Sequence, residues 1–237
     1  GMAVSILIFL FVQHELSYDK YHANADRIYR VSRSWSNPDG ELSLHLGHLA
    51  PPFGPLIKAD FDDQVEEVVR FFNAGLLIKS GENTFVEDEF FFADPEVFDV
   101  FSWKMLEGDP KASLNQSDGV LISEEMAKKY FGDIKATGKE LLAEVDGMQM
   151  TFQVRGVFEN VPDNSHMHPD FIASMNPVVQ FYGGLEPFMK NFGSNNFSTY
   201  VMMNEGYDYK SLEAQFPSLI DRNMGEAQAG IPMSKTT

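Results

Sequence analysis

Met2-Ala3-Val4-Ser5-Ile6-Leu7-Ile8-Phe9-Leu10-Phe11-Val12 runs directly into Gln13-His14-Glu15-Leu16-Ser17-Tyr18-Asp19-Lys20-Tyr21-His22. An apolar helix that empties into a polar, aromatic helix has the character of a membrane span where it leaves the bilayer. On that reading the rest of the chain is a domain held at a membrane surface. A full span takes about 20 apolar residues, and this run is roughly half as long. Three readings are therefore open: the end of a truncated span, a buried core helix, and the remnant of a secretory leader. A leader needs a basic start and a small-residue cleavage site. Neither Gly1-Met2 nor Gln13-His14-Glu15 supplies one. A core helix calls for polar residues at helical spacing, which Ser5 alone does not provide. The residues favour the truncated span, with Gly1 as a tag scar.

The composition is that of a folded chain: 237 residues, 43% hydrophobic and 22% charged. That length suits one large domain or two small ones. Beyond the start, no apolar run approaches a span. A formal net charge of -17 repels nucleic acid and anionic headgroups, so no nucleic-acid partner is expected. The chain has no cysteine, which excludes disulfides, thiol catalysis and Cys-ligated metals.

Arg27–Trp35 alternates polar and apolar residues and reads as one half-buried strand. Asn37-Pro38-Asp39-Gly40 turns it into a hairpin with Glu41–Leu46. Pro51-Pro52 opens a helix to about Phe61. Strands follow at Val65–Phe72, Leu76–Lys79 and Thr84–Phe92. Asp94-Pro95-Glu96 caps a short helix carrying Val97, Phe98, Val100 and Phe101. Gly119–Ile122 is a short apolar strand, and Ser123 is the N-cap of a helix ending at Gly132. Glu140–Val145 and Met148–Glu159 form a hairpin through Asp146-Gly147. After the Pro162–Pro169 loop come strands at Asp170–Met175 and Phe197–Met203. A closing helix follows, with Leu212, Phe216, Leu219 and Ile220 on one face. The tail after Met224 shows no periodicity. This order predicts an α+β protein whose outer part is interrupted by a smaller module.

Few residues suggest chemistry. His166, His168 and Asp170 share one face if they lie in a strand, which makes them the best metal candidate, yet they sit in a Pro-rich loop. Surface histidines are the plainer reading. Gly132 to Glu140 resembles a phosphate loop, but it is one residue too long and Glu140 stands where Ser or Thr would hold magnesium. The acidic clusters Asp60-Phe61-Asp62-Asp63, Glu66-Glu67 and Glu87-Asp88-Glu89 lack calcium-loop spacing and read as solvated faces. The aromatic group Phe90-Phe91-Phe92, Phe98, Phe101 and Trp103 reads as core, with a partner-contact patch as the alternative. No catalytic residue and no cofactor site emerges.

Taken together, several stretches resemble the extracytoplasmic domain of ABC-transporter permeases of the MacB/FtsX-like type. They are Val12–Asp19 with Tyr21–Val31, Ala93–Phe101 with Leu106–Pro110, Val120–Gly132 with Thr137-Gly138-Lys139, Val154–Phe158, and Pro162–His166. In order and spacing they cover about residues 10 to 170; residues 176–237 match only loosely.

The resemblance implies a truncated first span and a MacB-like, two-lobed α+β domain. Residues 1–22 would be the span end and a stalk helix. Residues 23–92 with 169–237 would form a porter-like βαβ lobe, and 93–168 an inserted sabre-like lobe. The last porter element would be incomplete. It also implies a non-enzymatic periplasmic part of an inner-membrane permease, with no cofactor. A separate cytoplasmic ATPase subunit and a second permease copy would be partners, with a periplasmic protein or lipoprotein as a further one. The stalk residues Glu15, Leu16, Tyr18, Asp19 and Tyr21 would couple the membrane helices to the domain, with Leu16 as a packing contact. Two other functions compete. One is a membrane-tethered protein that captures a peptide, lipid or lipoprotein in a cleft lined by Phe90–Phe92 or Phe188–Phe192. The other is a metal-dependent hydrolase using His166, His168 and Asp170.

Overall fold

A computed structural model describes residues 2–37, 39–145 and 147–224. Pro38 and Asp146 of the two expected turns, and the tail after Met224, lie outside the described residues. In chain order the elements begin with α1 (Met2–Glu15), β1 (Ile28–Val31), β2 (Arg33–Ser36), β3 (Leu42–Leu46), α2 (Phe53–Asp60) and β4 (Val65–Asn73). Then come β5 (Leu76–Ser80), β6 (Asn83–Glu87), β7 (Phe90–Ala93), α3 (Val97–Val100), β8 (Met105–Glu107), α4 (Pro110–Leu114), β9 (Gly119–Ser123) and α5 (Glu124–Phe131). The chain continues through β10 (Glu140–Val145), β11 (Met148–Phe158), β12 (Phe171–Ser174), α6 (Asn176–Phe181) and α7 (Leu185–Lys190). It ends with β13 (Ser198–Met203), α8 (Tyr209–Glu213) and α9 (Phe216–Met224). The expected α+β class is what forms.

The chain folds into two compact units. Among the described residues the first is built from 2–25, 74–91 and 101–173, and the second from 26–73, 92–100 and 174–224. Residues 74–91 therefore fold with 101–173, a different partition from the 93–168 insertion expected from sequence.

In the first unit β12, β9, β11, β10, β5 and β6 lie side by side in that order, with β8 against β11. The pairing of β9 with β11 is parallel, and β10–β11 is the antiparallel hairpin expected of this sequence. Ser123 caps α5 by accepting from the Met126 N–H at 3.2 Å. Gly132 closes it in the left-handed region at φ 73°. Phe90 stacks on Phe171 at 5.2 Å, and Phe90, Phe152 and Phe171 are all fully buried. Of the aromatic group, Phe90, Phe91, Phe101 and Trp103 are core here, while in the second unit Phe92 is buried and Phe98 half-buried.

In the second unit β13 lies between β1 and β4, antiparallel to both. Its core gathers Phe53, Ile57, Phe61, Val65, Val201 and Met203, with Leu212, Phe216, Leu219 and Ile220 from the closing helices. Those last four form the apolar face read from sequence, although the closing helix is broken into α8 and α9. The strand expected at Arg27–Trp35 is also divided, at Ser32. β1 pairs with β13 while β2 turns back on β3, so the two halves answer to different partners. Thr84–Phe92 divides for the same kind of reason: β6 pairs with β5, and Phe90 begins a separate strand.

Asp94 does not cap α3 with its carboxylate. Both of its oxygens go to Arg70: Oδ1 accepts from Nη2 at 2.7 Å, and Oδ2 from Nε at 2.8 Å and from the Arg70 backbone N–H at 2.9 Å. Arg70 Nη1 also donates to the Pro51 carbonyl at 2.7 Å, and its guanidinium lies over the Phe188 ring. A Cβ at Gly54 would come within 2.8 Å of Arg70 Cδ, so the glycine makes room for this side chain. The two side chains are 10% and 15% exposed, so removing one strands a nearly buried charge. Asp94→Ala is expected to lower unfolding stability by about 3 kcal/mol, read as a reduced urea midpoint. A midpoint unchanged from the parent would show that Arg70 finds another partner.

Candidate functional site

Every residue of α1 is exposed, including Phe9 at 60% and Phe11 at 63%. No helix among the described residues is long and apolar enough to cross a membrane. An exposed apolar helix gains nothing from this chain's core, so its position is set by the residues at its C-terminal end. The helix expected to continue to His22 stops at Glu15, and the next residues form turns. Ser17 Oγ donates to the His14 carbonyl at 2.7 Å, competing with the helical ladder. The Asp19 N–H donates to the Asn164 carbonyl at 2.9 Å rather than back into the helix. Asp19 is the one non-glycine residue with positive φ (58°) among the described residues, a conformation that aspartate tolerates better than most.

The Asp19 carboxylate then clasps the 164–166 loop. Oδ1 accepts from the His166 N–H at 3.0 Å and from Ser165 Oγ at 3.2 Å, and Oδ2 meets His166 Nδ1 at 2.7 Å. Asn164 Nδ2 returns to the Ser17 carbonyl at 3.0 Å and Oγ at 3.1 Å. Tyr21 extends the attachment: its hydroxyl lies 3.0 Å from Ser165 Oγ and accepts from Trp103 Nε1 at 3.1 Å. His22 is buried at 5% exposure against Phe101 and Trp103, and its Nδ1 accepts from the Ser102 N–H at 3.1 Å. The Ala23 N–H donates to Ser102 Oγ at 2.9 Å. All of these groups belong to the first unit.

Electrostatics follow from these contacts. Burial raises the Asp19 pKa, but the His166 hydrogen bonds and charge, with Ser165, outweigh it and hold the carboxyl below its usual range. Burial raises Tyr21, against the hydrogen bonds from Ser165 and Trp103. Burial lowers His22 to about 4, with the Asp19 charge opposing and the His166 charge assisting. His22 Nε2 is buried and has no hydrogen-bond partner, so a charged ring there would be poorly solvated.

Of the five stalk residues, the structure brings Asp19 and Tyr21 into one network and leaves the others outside it. Glu15 ends α1 exposed, Leu16 is 61% exposed, and Tyr18 meets the His14 ring edge-on at 5.4 Å. Sequence reasoning missed His22, Ser102, Trp103, Asn164 and Ser165. The run Asn164-Ser165-His166 carried a usable signal, since three consecutive polar side chains in a Pro-bounded loop need partners.

The three metal candidates lie in separate surroundings. His166 is taken by Asp19, His168 is exposed, and Asp170 accepts from Ser123 Oγ at 3.2 Å. Asp170 N–H is given to the Glu89 carbonyl, at the start of β12. Among the described residues no group of three His, Asp or Glu side chains is placed to hold a metal ion. The Phe90–Phe92 and Phe188 side chains named for a ligand cleft are buried.

The sequence model of the MacB-like periplasmic core domain family matches residues 1–219. Among solved structures, a domain assigned to a permease protein from Porphyromonas gingivalis is similar, with TM-score 0.75, 21% identity and coverage of 91% of each chain. The periplasmic region of MacB from Actinobacillus actinomycetemcomitans matches with TM-score 0.58 and 15% identity, over 88% of this chain and 87% of that one. The extracellular domain of the noncanonic ABC-type transporter YknZ from Gram-positive bacteria gives TM-score 0.57 and 16% identity, over 88% of this chain and all of that one. At these identities the likeness is one of fold. No curated protein sequence matches the chain.

Two outcomes are expected. The His22 ring is neutral when folded above pH about 4, whereas its unfolded value is 6.5. The unfolded chain therefore binds the proton first, and stability is lost as pH falls from 6.5 through 4. The ceiling is about 3 kcal/mol at ~1.4 kcal/mol per unit. Urea midpoints between pH 7 and 4 should fall more steeply in the parent than in His22→Gln; parallel curves would refute the assignment. Asp19→Asn keeps a residue that tolerates positive φ but removes the charge. It is expected to cost about 1 kcal/mol at neutral pH, since the carboxylate is about a third exposed.

Proposed function

The chain belongs to the MacB-like periplasmic core domain family, and on that premise we propose that it receives motion from a membrane helix and passes it into an extracytoplasmic domain. The family consists of ABC-transporter permeases that work with a cytoplasmic ATPase, and its periplasmic domains are generally non-enzymatic. That places the domain on the extracytoplasmic side of a membrane protein. The finer reading is that ATP hydrolysis in a separate subunit moves the first membrane helix, and that two permease copies turn this movement into export or into force on a periplasmic partner. The two compact units would serve as the porter-like and sabre-like lobes.

One observation carries the proposal. An apolar helix exposed along its whole length leads within four residues to a polar clasp that ties its exit to the 164–166 loop and, through Tyr21, to Trp103. Large exposed apolar surface marks a membrane or partner contact. A carboxylate held by three hydrogen-bond donors resists displacement better than a flexible tether does. A pull on α1 would thus reach the domain through the Asn164, Ser165 and His166 backbone.

The test uses the full-length permease with its ATPase in membranes. Nucleotide is expected to change amide exchange at residues 101–103 and 164–166 in the parent. Asp19→Ala should erase that response while ATP hydrolysis persists. An identical nucleotide response in Asp19→Ala would sink the clasp as the coupling element.

A further inference from the structure

The first unit carries an open surface depression of about 360 Å³ lined in part by Asp109, Gln116, Thr137, Gln153 and Arg155. Its wall is tightly built. β11 carries a bulge at Arg155: Val154 pairs with Val120 and Gly156 with Leu121, so Arg155 has no opposite number on β9. Bulges of this kind re-aim a side chain and are frequent beside binding sites. A Cβ at Gly108 would stand 2.3 Å from the Arg155 carbonyl, and one at Gly156 would stand 2.5 Å from the Glu107 carbonyl. These glycines let the 107–109 segment press against the bulge. Ser113 Oγ hydrogen-bonds to the Asp109 carbonyl and lies 3.4 Å from that of Arg155, so the acidic and basic residues rise from adjoining backbones.

The functional groups along this wall are unevenly used. Arg155 Nη2 donates to Asp118 at 2.8 Å, and among the described residues its Nη1 makes no hydrogen bond. Asp109 Oδ1 accepts from the Ala112 N–H at 2.9 Å as the cap of α4, which leaves Oδ2 for a ligand. Among the described residues the side-chain amides of Gln116 and Gln153 make no hydrogen bond. Thr137 Oγ1 is held by Glu107 at 2.6 Å. A guanidinium with a spare donor, a carboxylate with a spare oxygen and two free amides together suit a ligand bearing both charges. A simple anion would meet Asp109, and a simple cation would meet Arg155.

The geometry points to a binding site for a small zwitterion, a free α-amino acid, with its carboxylate on Arg155 and its ammonium on Asp109. Gln116 and Gln153 hold its polar atoms from the sides. This site is independent of the clasp and stands whether or not the domain transmits motion.

The experiment is thermal unfolding of the whole chain against each common L-amino acid at millimolar concentration, with the N-acetyl and amide derivatives of any that bind. At least one amino acid is expected to raise Tm by about 5 °C once it exceeds its Kd by roughly a hundredfold. Acetylating its amine or amidating its carboxylate should remove the shift. Asp109→Asn keeps the helix cap and removes the charge, so it should fold and lose the response; Arg155→Gln should lose it too. The assignment is overturned if no amino acid shifts Tm, if the blocked derivatives bind equally well, or if the shift survives in Asp109→Asn.

Discussion

The hold of Asp19 on the 164–166 loop is the constraint on which the entry to the domain depends. α1 buries nothing in this chain, and a helix of 14 residues is marginal alone in water. Whatever covers its apolar surface, its exit is defined by a peptide N–H given to Asn164 and a carboxylate given to Ser165 and His166. Those same bonds end the helix. Beyond them, Tyr21 and His22 are held separately by Trp103 and Ser102.

The second unit is organised by another ion pair with a different character. Arg70 and Asp94 are nearly enclosed, bidentate and reinforced by the Pro51 carbonyl, so they act as a fixed joint among β4, α2 and the turn before α3. The Asp19 pair is about one-third exposed and spans segments far apart in sequence. Exposure makes it weaker and open to solvent.

Much of this was legible in the sequence where local chemistry decides the outcome. Ser123 and Gly132 mark the ends of α5 because caps are set within a few residues. The β10–β11 pairing followed from a strong turn signal between two strands, and the spacing of Leu212, Phe216, Leu219 and Ile220 gave a buried face. The failures share one cause, competition by distant partners. Arg27–Trp35 has the pattern of a single strand, and only the positions of β13 and β3 divide it. Asp94 precedes a helix as a cap should, but a guanidinium 24 residues earlier takes both its oxygens. His22 looks like one more polar residue of a stalk, and only Phe101 and Trp103 make it a buried base. The family resemblance was readable because its motifs keep their order and spacing, while the clasp they build was not.

The interleaving of the two units bears on biosynthesis. β13 lies between β1 and β4, yet it leaves the ribosome well after both. Until residue 203 has been translocated, β1 and β4 have no partner where β13 will sit, and both present unpaired edges to other chains. The hairpin of β10 and β11 closes locally, whereas the central strand of the second unit must find its place across more than a hundred residues, a slow kind of closure. A chain emerging beside a membrane is therefore exposed to misassembly until β13 arrives. Extracytoplasmic folding helpers would have their greatest effect in that interval.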